Sequence, residues 1–132
     1  MITKDIIKIA LDTSNEGLKN NYTHKVTVKN SLCGDKISLE LIIKHSKIKS
    51  MKYETESCIY CEASTSLLSK KIINLNLRDI KTYFPILKKN VIKNKIIIPK
   101  KLSTFKKLFN SDNINRIKCI ILPFDAVLKA LK

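Results

Sequence analysis

Residues 36 to 54 read KISLELIIKHSKIKSMKYE, two runs of alternating apolar and polar side chains, 36 to 43 and 47 to 54, joined by a short polar link. A period of two places the apolar side chains on one face of an extended chain, which is the pattern of a half-buried strand and not of a helix. The segment just before, HKVTVKN at 24 to 30, has the same alternation. Short links between three such segments predict an antiparallel meander, since parallel neighbours need a long crossover. The first link contains Leu32, Cys33, Gly34 and Asp35, where Gly34 can take a positive φ and aim its neighbours outward.

Beyond residue 61 the period becomes helical. Ala63, Leu67, Leu68 and Ile72 fall on one stripe, while Ser64, Ser66 and Ser69 are small enough to let a helix pack closely against a sheet. In NLRDIKTYFPILKK, Asn76 is an N-cap and Asp79 lies in the first turn, and Pro85 is expected to kink or end that helix. Leu102, Phe105, Leu108 and Phe109 predict another short helix. From about Asn115, Ile117, Ile120, Ile121, Phe124, Val127, Leu128 and Leu131 follow the helical rule, with the regular part predicted to start at Pro123. Ahead of the strands, Ile6, Ile7, Ile9, Ala10 and Leu11 suggest a short helix that ends in the turn-like DTSNEG. The expected fold class is α+β: a small three-stranded antiparallel sheet covered by helices, with a long C-terminal helix. No repeat, linker or low-complexity segment divides the chain, so residues 1–132 read as a single domain.

The composition narrows the function. With 44% hydrophobic residues the chain can build a core without disulfide staples. No apolar stretch approaches the roughly 20 residues that span a bilayer, and MITKDIIKIALDTSN lacks the features of a signal or transit peptide, so a cytoplasmic location with no membrane partner is expected. The net charge of +15 raises nucleic-acid binding. Yet all 26 basic residues except Arg78 and Arg116 are lysine, spread along the chain, whereas arginine is the usual reader of phosphates and bases. The densest stretch, KKNVIKNKIIIPKKLSTFKK at 88 to 107, reads as a solvated face, and no nucleic-acid partner is expected.

The 4 cysteines remain, accompanied by only 2 glycines and 3 prolines, which does not describe a disulfide scaffold. Cys33 lies in a strand link, Cys58 between the third strand and a helix, and Cys119 near the start of the last helix. A helix start favours the thiolate, the form that attacks sulfur and binds metal. Cys119 also falls roughly opposite its helix's apolar stripe, unlike a cysteine that merely fills the core. Cys58-x-x-Cys61 alone is compatible with a zinc half-site, a redox pair, a piece of core or one part of a larger constellation. A structural zinc site would need a second ligand pair, and His24 and His45 read as ordinary surface residues. A thioredoxin-like pair would need a parallel βαβ setting.

NSLCGD (30 to 35), SCIYCEASTSLL (57 to 68) and RIKCIILPFDAVLKAL (116 to 131) resemble, in order, the three signature blocks of the iron-sulfur cluster assembly scaffold family of the NifU N-terminal, IscU and SufU type. The resemblance implies that Cys33, Asp35, Cys58 and Cys119 are the metal or cluster ligands. It assigns Cys58 the family position because the block ASTS begins five residues after it, which leaves Cys61 as an extra thiol, a sulfur acceptor or an idle neighbour. Three thiolates and a carboxylate suit either a [2Fe-2S] cluster or one tetrahedral Zn2+. Asp35 is a harder donor than a thiolate, so a cluster held by it should be labile.

The chain departs from the family pattern in places. ETES replaces the glycine-rich approach to Cys58, Lys118 replaces the histidine before the last cysteine of the IscU branch, and the Leu-Pro-Pro-x-Lys chaperone segment is missing from NSDNINRIKC. The 61 residues from Cys58 to Cys119 resemble the SufU-like spacing. Two functions follow from the resemblance. One is a scaffold that receives sulfur from a cysteine desulfurase, builds a [2Fe-2S] cluster and passes it to apo iron-sulfur proteins. The other is a zinc-dependent sulfurtransferase in which a ligand cysteine, with Cys119, Cys58 and Cys61 as candidates, accepts persulfide sulfur from the desulfurase.

Overall fold

The computed structural model describes residues 3–30, 34–92, 100–109 and 116–132. Helix α1 (Lys4–Ala10) starts at Thr3, whose hydroxyl accepts the Ile6 N–H. Strands β1 (His24–Lys29), β2 (Lys36–Lys44) and β3 (Lys47–Glu56) follow. They pair antiparallel in the order β1-β2-β3, the expected meander. His45 and Ser46 close the second hairpin, both at positive φ, which gives the two-residue turn the hand that matches strand twist. Both neighbours along the free edge of β3 come from the chain itself. Asn15 and Gly17 bond to Tyr53 on one stretch, and residues 74 to 77 bond to Ile48 and Ser46 on the other.

Alternation along the strands buries Ile37, Leu39, Leu41, Met51 and Tyr53 on one face. On the other face Glu40 is only 1% exposed, because the segment after α1 folds over it and donates the backbone N–H groups of Lys19 (2.7 Å) and Asn20 (3.2 Å) to its carboxylate. Two charged hydrogen bonds, each worth roughly 1.5–3 kcal/mol, offset the cost of burying the charge and hold that segment down.

Helix α2 (Ile59–Lys71) is buried from Tyr60 to Ser69 except at Glu62. Its serines therefore do more than permit close packing against the sheet. Ser66 donates to the Asp12 carbonyl and Ser64 to the Ile120 carbonyl, both at 2.6 Å. Helix α3 (Leu77–Ile92) is capped by Asn76, whose Oδ1 accepts the Asp79 N–H at 2.7 Å. Contrary to the expectation at Pro85, α3 runs through it. Pro85 sits on the solvent side, where water can satisfy the carbonyl it leaves, while Ile80, Phe84, Leu87 and Val91 pin the opposite face.

A 3-10 stretch (Lys100–Lys107) carries buried Leu102 and Phe105, with Leu108 and Phe109 buried just beyond. Helix α4 (Ile117–Ala130) begins six residues before Pro123 and not at it. An interior proline costs about 3 kcal/mol. Burying Ile117, Ile120 and Ile121, at roughly 1.5–3 kcal/mol each, outweighs that cost and holds the first turns helical. Phe124 meets Phe84 and Phe105 edge to face at 5.0 Å, which joins α3, the 3-10 stretch and α4 in one core. Among the described residues, no helix is long and apolar enough to cross a membrane.

Candidate metal centre

Three element ends converge at one place. Asp35 immediately precedes β2, Cys58 is the N-cap position of α2, and Cys119 lies in the first turn of α4. Their ligand atoms all lie within 4.8 Å of one another. Gly34, at φ +77°, bonds through its N–H to the Asn30 carbonyl, and the Asn30 N–H bonds back to the Asp35 carbonyl at 2.7 Å, so the link closes at its base and presents Asp35 to α2. Asp35 is thus more than a turn residue. It is 4% exposed, its Oδ1 accepts the Cys58 backbone N–H at 3.1 Å, and the Cys58 thiol donates to its Oδ2 at 3.7 Å. Cys33, the fourth residue of the expected ligand set, lies outside the described residues.

Cys119 differs from its expected surroundings. The region opposite its apolar stripe is enclosed, and Cys119 is itself only 4% exposed, facing Asp35 and Cys58. Burial, reinforced by the adjacent Asp35 carboxylate and Cys58, pushes its thiol well above the ordinary range. Desolvation and a negative neighbour thus outweigh the helix-start effect that would favour the thiolate. Cys61 is fully buried in α2, and burial pushes its thiol up to about 12, with the Ser57 hydroxyl opposing. It is not among the three residues whose donors converge. Arg116, at the start of α4, lies over the Tyr60 ring 5.8 Å from its centroid and links the two helix starts that carry Cys58 and Cys119. His24 and His45 lie elsewhere, in β1 and in the hairpin turn.

The donor chemistry fits a metal. Around a tetrahedral zinc ion with Zn–S near 2.3 Å and Zn–O near 2.0 Å, donors stand about 3.5 Å (S to O) and about 3.8 Å (S to S) apart. The Cys58 Sγ to Asp35 Oδ2 distance of 3.7 Å is within reach of that without backbone movement. Two soft thiols and one hard carboxylate also suit iron with sulfide.

The family model for the NifU-like N terminal domain matches residues 1–108. The chain belongs to this family. The match contains Asp35 and Cys58 and stops before Cys119. This NifU-like chain is 30% identical over 105 residues to the iron-sulfur cluster assembly scaffold protein IscU of Thermotoga maritima, spanning 79% of this chain and 73% of that one. Its fold is similar to that of an iron-sulfur cluster assembly scaffold protein for the SUF system from Fervidobacterium islandicum, with a TM-score of 0.87 and 24% identity over 99% of this chain and 96% of that one. The N-terminal part of a NifU-like protein from Brucella abortus matches with a TM-score of 0.86 and 20% identity, over 98% and 90% of the two chains. The NifU-like fold thus extends through α4 and the Cys119 turn. Sequence reasoning missed Ser64 and Arg116, which touch the elements bearing the donors. Their signal was present only as a small residue and a lone arginine, neither of which names a partner 50 or more residues away.

Proposed function

We propose that this protein is an assembly scaffold for a labile [2Fe-2S] cluster, working in the cytoplasm as one domain over residues 1–132. It receives sulfur from a cysteine desulfurase and passes the cluster to apo-proteins. The observation that supports this reading is the convergence of Asp35, Cys58 and Cys119 within 4.8 Å at the meeting of three element ends. Cys33, two residues before Asp35, is proposed as the fourth donor. Cys58, half-exposed at the helix start, and Cys119 would supply thiolates once metal displaces their protons. Asp35 would supply the weakest bond to the cargo, because an oxygen donor is poorly matched to an iron-sulfide core. A scaffold must let go of what it builds, and a mixed donor set serves that need.

A second reading rests on the 3.7 Å contact between Cys58 and Asp35, which suits a single four-coordinate ion. The same residues would hold zinc, and a cysteine released from it would accept persulfide sulfur, making the protein a sulfurtransferase. Metal and sulfide analysis of protein purified anaerobically without added metal, with an absorption spectrum of the same sample, tests both. Iron with acid-labile sulfide and visible charge-transfer bands supports the scaffold. One zinc per chain without colour supports sulfur transfer, and a chain that takes up neither metal refutes both.

A further inference from the structure

The two helices that carry the sulfurs begin without side-chain caps: neither Cys58 ahead of α2 nor Arg116 ahead of α4 makes a capping bond. The α4 turn that bears Cys119 is tied sideways. The Ser64 hydroxyl, fully buried, donates to the carbonyl of Ile120, the neighbour of Cys119, at 2.6 Å. Ser64 stands on the helix that Cys58 opens. One short buried bond therefore joins the two backbones that hold the thiols. Among the four buried serine and threonine hydroxyls of α2, those of Thr65 and Ser69 donate back to carbonyls of their own helix, and Ser69 also accepts from Asn15 Nδ2 at 3.0 Å, on the segment after α1 and away from the thiols. Ser66 clamps the Asp12 carbonyl, also at 2.6 Å, but on the segment after α1 and away from the thiols.

We infer that Ser64 is a positioning residue for the metal centre: its bond to the Ile120 carbonyl sets the separation of the Cys58 and Cys119 sulfurs. The inference rests on the reading of Asp35, Cys58 and Cys119 as ligands. Apolar contact between α2 and α4 holds the helices together but is non-directional, so it fixes their sliding and rotation less sharply than a directed bond. An error of half an ångström in a thiolate matters to a metal and little to a core.

The experiment compares Ser64→Ala with Ser66→Ala in the full chain, under anaerobic reducing conditions. Each loses one buried hydroxyl that bridges two elements at 2.6 Å, and Ser66→Ala also loses the bond to the Tyr53 hydroxyl, so Ser66→Ala should lose at least as much thermal stability as Ser64→Ala. Affinity for Co2+ and Zn2+ is read by chelator competition, and geometry by the visible Co2+ spectrum. The expected result is that Ser66→Ala binds as the parent does, while Ser64→Ala binds roughly 10- to 100-fold more weakly with an altered Co2+ spectrum. Equal affinities and spectra for the two variants would overturn the inference. So would a Ser64→Ala chain that does not fold, since the hydroxyl would then serve the fold as a whole. A parent chain that binds neither ion would overturn the ligand reading itself, and this shows before any variant is compared.

Discussion

Cys61 should make the metal-free protein lose stability in alkali, and its replacement should remove that loss. Its side chain is fully buried, and burial lifts the thiol from 9.0 to about 12. An unfolded chain can ionise Cys61 near pH 9 while the folded one cannot until about pH 12. The raised folded value means that the contribution is present in full below about pH 9 and is lost as the pH rises above it. The gap corresponds to about 4 kcal/mol when complete, at roughly 1.36 kcal/mol per pH unit, and to about 2 kcal/mol at about pH 10.5. Urea unfolding of the zinc-free, reduced chain at about pH 7 and about pH 10.5 measures it against Cys61→Ala. At neutral pH the variant should be less stable by about 1 kcal/mol, the value of one buried heavy atom. At the higher pH the order should invert, with the variant more stable by about 1 kcal/mol. Groups common to both chains cancel in the difference. A difference that stays constant to within about 0.5 kcal/mol would refute the reasoning.

Cys58→Ser should abolish Zn2+ and Co2+ binding while Cys61→Ser leaves it near the parent level; a titration giving the reverse would assign the site to the other cysteine. Zinc affinity should rise with pH, by at least about tenfold per unit between about pH 6 and 8, because burial keeps the Cys119 thiol protonated until metal displaces the proton; a flat profile would exclude Cys119 as a ligand. Asp35→Ala should slow passage of an assembled cluster to an apo-ferredoxin, because the oxygen donor is the one an incoming ligand displaces first. Unchanged or faster transfer would count against that role.

The sheet was legible because alternation reports directly on a two-sided environment: β1, β2 and β3 end within two residues of where HKVTVKN, KISLELII and KIKSMKYE place them. The prolines were not. Whether Pro85 or Pro123 ends a helix depends on which side of the helix it occupies and on how much apolar surface the flanking turns bury, and both are tertiary facts. Cys119 shows the same limit from the other direction. A helical stripe locates the buried face correctly but says nothing of the opposite side, and here the start of α4 buries Cys119 along with Ile117, Ile120 and Ile121 while Lys118 stays exposed. The hydroxyls of α2 were legible as small side chains, while their partners, Asp12 and Ile120, were not, because a serine carries no mark of which distant carbonyl it will reach.

The placing of Asp35 bears on how such a site could both hold and release its cargo. The two thiols stand on helices whose flanks are buried in the core, so moving either sulfur by more than a side-chain rotation would disturb packing around Tyr60, Ile120 and Ile121. Asp35 is different. Its carboxylate, away from metal, has a partner already at hand in the Cys58 N–H, 3.1 Å from Oδ1. A ligand with a second partner within reach gives up its metal bond for less than one that must leave a buried charge unpaired, because hydrogen bonds to charged groups are worth roughly 1.5–3 kcal/mol. In a scaffold the weak bond would therefore lie at the carboxylate and the fixed geometry at the thiols. The backbone N–H that opens α2 would keep Oδ1 paired as Oδ2 lets the cargo go.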